Sequence, residues 1–151
     1  MALANMTQKE TDRENREHCK AIALRLEAIH RGEYYICPEC GEWIKFHNSQ
    51  YNGETAEYTC QKCGATFDEC ELEAVSFYDY FQDVLDVEFR IGSDREYRSV
   101  KLVVACGGPN IYIDTAAGAV LLYWWTDRAE YLIDRDTVDA INDWAEELYL
   151  C

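Results

Sequence analysis

The feature that most constrains this chain is a pair of cysteine knuckles, Cys37-Pro38-Glu39-Cys40-Gly41 and Cys60-Gln61-Lys62-Cys63-Gly64, with nineteen residues running from Gly41 to Thr59. Two residues between the cysteines of each knuckle let both sulfurs reach one ion, and the glycine that follows permits the positive φ of the tight turn. Together the knuckles complete a tetrahedral tetrathiolate shell, which suits Zn2+ and leaves no open coordination position. The expectation is therefore one structural zinc ion held by Cys37, Cys40, Cys60 and Cys63, with short β-prone pieces folded around it.

Asn52-Gly53, midway between the knuckles, is a strong hairpin-turn signal. Residues 34–70 thus read as two hairpins meeting at the metal, and on these residues the segment resembles the zinc-ribbon family of metal modules. That family occurs in transcription factors, ribosomal proteins, polymerase subunits and many phage proteins, so the resemblance implies a fold and four ligands without implying one function. Iron-binding rubredoxins use related knuckles, but their compact, metal-only fold does not suit a chain of 151 residues. Ribbons that bind nucleic acid usually surround the knuckles with basic residues. Here Lys45 and Lys62 stand against seven acids in residues 34–71, so a scaffolding ribbon is expected.

The rest of the chain reads as α+β. Cys19, Ile22, Ala23, Leu26 and Ile29 recur at helical spacing, Thr7 with Glu10 has the form of a capping box, and Gly32 stands where a helix would stop. This predicts an amphipathic helix over 8–31, within an N-terminal segment of residues 1–33. After the ribbon, an acidic α/β domain spans 71–151. Leu72, Val75, Tyr78, Phe81 and Leu85 predict a helix over 71–85, followed by strands at 86–91, 100–105, 110–114, 119–125 and 130–133. Short links favour antiparallel pairing, with residues 115–118 as a hairpin connection. A last helix, capped by Asp134 or Asp136, presents Val138, Ile141, Trp144, Ala145 and Leu148 as its apolar face.

Eight cysteines in paired C-x-x-C units and scattered singles, behind a polar N-terminus with no secretory pattern, favour metal binding in a reducing, cytoplasmic setting over a disulfide framework. No run approaches the roughly 20 apolar residues of a membrane span. Cys19 and Cys106 are expected as buried free thiols. Cys106-Gly107-Gly108-Pro109 reads as a turn, and a nucleophilic role for Cys106 has no evident partner among His18, His30 and His47. No catalytic residues are expected.

Charge carries the functional clue. The formal net charge is −15, distributed as zero over 1–33, −5 over 34–71 and −10 over 72–151, and a tetrathiolate zinc site would add two further negative units. Phosphate binding requires the opposite sign. The expected partner is a basic protein or nucleoprotein complex, with no direct nucleic acid and no membrane. The candidate contact residues are the carboxylates Asp79, Asp83, Asp86, Glu88, Asp139, Asp143, Glu146 and Glu147, with Trp124 and Trp125 as aromatic anchors. In size and charge the chain is similar to small acidic proteins of phages and mobile elements that block restriction or CRISPR complexes. That similarity implies an inhibitor acting as a DNA mimic. The alternatives are a zinc-ribbon adaptor in transcription or nucleic-acid processing, using the arginines and lysines of the first helix, and a thiol or hydrolytic enzyme centred on Cys106.

Overall fold

A computed structural model of the chain describes residues 7–45 and 51–151. The fold is α+β, and the described residues form three α-helices and three antiparallel sheets. It divides into two compact units, one formed by residues 28–80 and the other by residues 1–27 together with 81–151.

In the first unit, β1 (Tyr34–Ile36) and β2 (Trp43–Lys45) form a hairpin across the first knuckle. β3 (Tyr51–Asn52), β4 (Glu57–Thr59) and β5 (Thr66–Asp68) form a second sheet, with the other knuckle between β4 and β5. A hairpin joins β3 to β4 as expected, but its turn is the four residues 53–56, closed by the Asn52–Glu57 pair and carrying the positive φ at Ala56 (55°) instead of at Gly53. β6 (Glu73–Ala74) then pairs with the open side of β1, opposing Glu73 to Ile36 and Ala74 to Tyr35.

This last pairing corrects the expected helix over 71–85. Only α2 (Phe77–Tyr80) is α-helical there, followed by a single 3-10 turn at Phe81–Asp83. The apolar residues at helical spacing do not form one stripe: Leu72 packs on the ribbon core, Phe81 meets Trp144 in the other unit's interior, and Tyr78 and Leu85 are exposed. The start of α2 has its own local cause. The Ser76 amide donates to the Asp79 carboxylate at 2.7 Å and the Asp79 amide to Ser76 Oγ at 3.3 Å, a reciprocal cap that begins a helix only after β6 is complete.

The second unit is built on a five-stranded meander, β7 (Asp86–Ile91), β8 (Tyr97–Ala105), β9 (Asn110–Asp114), β10 (Ala119–Trp124) and β11 (Asp127–Leu132), in the sheet order β11-β10-β9-β8-β7. Period-two alternation separates its faces. Val100, Leu102, Ile113, Val120 and Leu122 line one face and are fully buried. Cys19, Ala23 and Leu26 from α1 (Gln8–His30), with Ile141 and Ala145 from α3 (Arg135–Leu150), complete this interior. Cys19 is buried as expected, whereas Cys106 is exposed in the turn between β8 and β9.

α3 starts at Asp134, whose carboxylate accepts from the Thr137 amide and hydroxyl, each at 2.9 Å. Val138 lies beside Gly118, Tyr97 donates to Asn142 at 2.6 Å, and Tyr149 reaches the Arg95 carbonyl at 3.1 Å, so α3 crosses from the β9–β10 turn to the β7–β8 hairpin. No helix among the described residues is long and apolar enough to cross a membrane.

Candidate metal centre and binding faces

The two knuckles are near copies. In the first, the Cys37 amide donates to the Glu42 carbonyl and the Gly41 amide to the Cys37 carbonyl, both at 2.8 Å. In the second, the Cys60 amide donates to Ala65 at 2.9 Å and the Gly64 amide to Cys60 at 2.8 Å. Gly41 and Gly64 take φ of 71° and 76°, the left-handed conformation that a side chain would strain.

These turns bring four sulfurs within 4.8 Å of one another, with Cys37 to Cys63 at 3.8 Å and Cys40 to Cys60 at 3.7 Å. Disulfide sulfurs lie at about 2.05 Å, so the cluster is not a pair of disulfides. A tetrahedral ion with metal–sulfur bonds of about 2.3 Å spaces its ligands about 3.8 Å apart, as are the Cys37–Cys63 and Cys40–Cys60 sulfurs. The cluster has the dimensions to hold one metal ion.

The sulfurs also perturb one another in opposite directions. The Cys63 amide, then that of Lys62, draws the Cys60 thiol down to about 7 against the cost of burial. At Cys40 the Glu42 amide acts downward, but burial and the surrounding sulfurs of Cys37, Cys60 and Cys63 outweigh it and push the thiol up to about 12. Four thiolates this close repel one another unless a positive ion lies between them. Cys37 and Cys60 are 1% exposed and pack with Ile44 and Phe67, flanked by Ala65 and Leu72, while Cys40 and Cys63 face outward. Lys62 of the second knuckle pairs with Glu42 beside the first, and that hydrogen bond raises the lysine's pKa. His47 lies outside the described residues.

The acidic candidates separate into distinct settings. Asp79 belongs to the ribbon unit and caps α2. Asp83 ends the 3-10 turn, while Asp86 and Glu88 lie on the outer face of β7, where Glu88 stands opposite Lys101. That sheet face is mixed in sign. Arg90 grips Asp114 through two bonds of 3.0 and 2.9 Å, Lys101 sits 4.3 Å from the Tyr112 ring centre, and Arg128 lies over Tyr123.

On α3, by contrast, Asp136, Asp139, Asp143, Glu146 and Glu147 are all exposed, and at 3.6 residues per turn they fall within an arc of about 100°. Arg135, 3.8 Å from Asp139, is the only lysine or arginine on that helix.

Among the arginines and lysines of the first helix, which the adaptor reading draws on, a row stands out although the helix is neutral overall. Lys9, Arg13, Arg16 and Lys20 share an arc of about 60° on α1, and the spacing four, three, four between them was the available signal. Cys106 receives no hydrogen bond from His18 or His30, both on α1. Trp124 ends β10 and Trp125 occupies the tight turn into β11. Comparison with protein-family models, with curated proteins and with solved structures finds no match to this chain.

Proposed function

We propose that the chain is a non-enzymatic binding protein: a structural Zn2+ at the four cysteines fixes the ribbon, and the acidic face of α3 occupies a cationic groove on a nucleic-acid-handling protein. The observation that carries this reading is the charge row on α3. From Asp136 to Glu147 the helix rises about 16 Å, placing one carboxylate per roughly 4 Å of axis. One strand of DNA carries a phosphate per about 3.4 Å of axis. A groove shaped for phosphates would therefore meet a similar linear charge on a rigid rod, and the two ligands would compete. This is the chemistry of a DNA mimic, of the kind that blocks restriction or CRISPR complexes. The closed tetrathiolate shell supports a structural ion over a catalytic one.

The test is displacement of a fluorescent duplex from basic DNA-binding proteins by the zinc-loaded chain at about 0.15 M salt, where the Debye length is about 8 Å. The expected result is release by the wild type. The variant Asp139→Asn/Asp143→Asn/Glu146→Gln/Glu147→Gln should need at least ten times more protein. Equal potency of the two would overturn the reading.

The row Lys9, Arg13, Arg16 and Lys20 favours the adaptor reading, in which α1 contacts nucleic acid directly. Duplex binding by the chain itself, weakened uniformly across sequences by replacing these four with Gln and falling steeply with salt, would establish that alternative.

A further inference from the structure

The β10–β11 hairpin ends in a feature that neither packing nor turn chemistry accounts for. Trp124 and Asp127 oppose each other as the last pair of the ladder, leaving Trp125-Thr126 as a two-residue turn. Such turns place glycine, asparagine or aspartate where φ is positive, because side chains are strained there. Trp125 has φ of 54° and is 89% exposed. Among the described residues its one ring contact is an edge-to-face approach to Trp124, at 6.0 Å between centroids. Arg95, another non-glycine residue at positive φ, has visible support: its carbonyl accepts from Tyr149 and its amide donates to Gly92. The largest side chain thus sits at the position least suited to it, with its ring held out to solvent.

Asp127, opposite Trp124 in the ladder, is joined through Gln8 to a second carboxylate. Gln8 Nε2 donates to Asp127 Oδ1 at 2.7 Å and to Asp12 Oδ1 at 3.0 Å, so both acids converge on one amide. Among the described residues neither has an ion-pair partner. Arg128, the cation nearest in sequence, lies over the Tyr123 ring, and β-strand alternation turns it to the face opposite Asp127. The corner therefore combines indole rings, the strongest cation–π acceptors among side chains, with carboxylate oxygens able to take N–H donors. A guanidinium satisfies both, since its plane stacks on an indole while its edge donates two parallel hydrogen bonds to a carboxylate.

We infer that the β10–β11 tip is a receptor for an arginine side chain of the partner protein, with Trp125 stacking on the guanidinium and Asp127 and Asp12 accepting from it. This rests on the reading that the partner is a basic protein, and it adds an anchoring contact separate from the α3 row. Aromatic anchors dominate interface affinity, so the tip sets how long the complex lasts while the α3 charges set how fast it forms.

The test uses the zinc-loaded full chain and an octa-arginine peptide, followed by amide and indole N–H resonances. Saturable shifts at residues 124–127 and at the Trp125 indole are expected, with tighter binding than to octa-lysine. Trp125→Gly should lose at least tenfold in affinity while its unfolding midpoint stays equal or rises, because glycine relieves the positive φ. Trp125→Asn serves as a second variant with the same expectation. A lowered midpoint with unchanged peptide affinity would make the tip structural and overturn the inference, as would equal affinity of Trp125→Gly and wild type. The α3 variant keeps the two readings apart. If it loses duplex displacement while Trp125→Gly retains it and binds octa-arginine as the wild type does, the tip assignment alone falls. If it retains displacement while Trp125→Gly loses both displacement and peptide binding, the α3 reading falls and the tip stands.

Discussion

Each knuckle turns one sulfur inward and one outward, and the four have unequal tasks. Cys37 and Cys60 join the apolar core around the cluster, whereas Cys40 and Cys63 stand on its solvent side. Cys40→Ser or Cys63→Ser should abolish stoichiometric zinc by elemental analysis and unfold at least the ribbon. The reason is size: the cluster around the sulfurs buries only Ile44 and Phe67 besides two of the cysteines themselves, too little to hold the two knuckles together unaided, whereas a structural zinc ion would contribute on the order of 10 kcal/mol. Retained metal and unchanged melting in both variants would refute the assignment. A second prediction concerns Asp114, 6% exposed and bound twice by Arg90. Burial alone would raise its pKa, but the arginine and the amides of Ala116 and Ala117 outweigh it and hold the carboxyl below its usual value. Its stabilisation is therefore present above about pH 4 and is lost as pH falls through the lower, folded-state pKa. Asp114→Asn should cost about 2 kcal/mol at pH 7, and urea unfolding of both proteins should show the gap narrowing as pH is lowered below about 4.

Among the elements, those with a local signal in the sequence were legible and those fixed by tertiary pairing were not. The knuckle glycines, α1 with its Thr7–Glu10 cap and the Asp134 cap of α3 all depend on neighbouring residues, and the structure places them as read, while the hairpin signalled by Asn52-Gly53 forms with its turn over 53–56. The five strands of the meander were found at their centres, since alternation persists even where ends shift. The segment over 71–85 failed because its apolar residues serve two interiors, and spacing alone cannot tell one helical stripe from two unrelated anchors. Pairing of β6 on β1 is a long-range event with no local mark. On α3, like charges at three- and four-residue spacing repel by a few tenths of a kcal/mol per pair. Asp143→Asn should therefore raise the unfolding midpoint slightly while weakening duplex displacement, a divergence that thermal melting and the displacement assay read together. Asp134→Ala should cost about 1 kcal/mol through loss of the cap.

For the whole molecule, the charge total read from composition was sound, but its arrangement was not visible there. The outer sheet face carries Arg90, Lys101 and Arg128 among its acids, while α3 concentrates carboxylates on one side and α1 aligns four cations. Raising salt from 0.05 to 0.5 M should increase thermal stability by screening self-repulsion, and the same change should weaken binding to a basic partner. The division into units has a further consequence for biogenesis. Residues 28–80 interrupt the other unit, whose first element, α1 through Glu27, precedes them by sequence. On a ribosome adding about 5–20 residues per second, residues 28–80 are complete and free to fold while α1 waits roughly 4–14 s more for residues 81–151. During that interval the strip formed by Cys19, Ala23 and Leu26 has no sheet to cover it, which makes the nascent helix a target for holding chaperones and ties the yield of folded protein to translation speed.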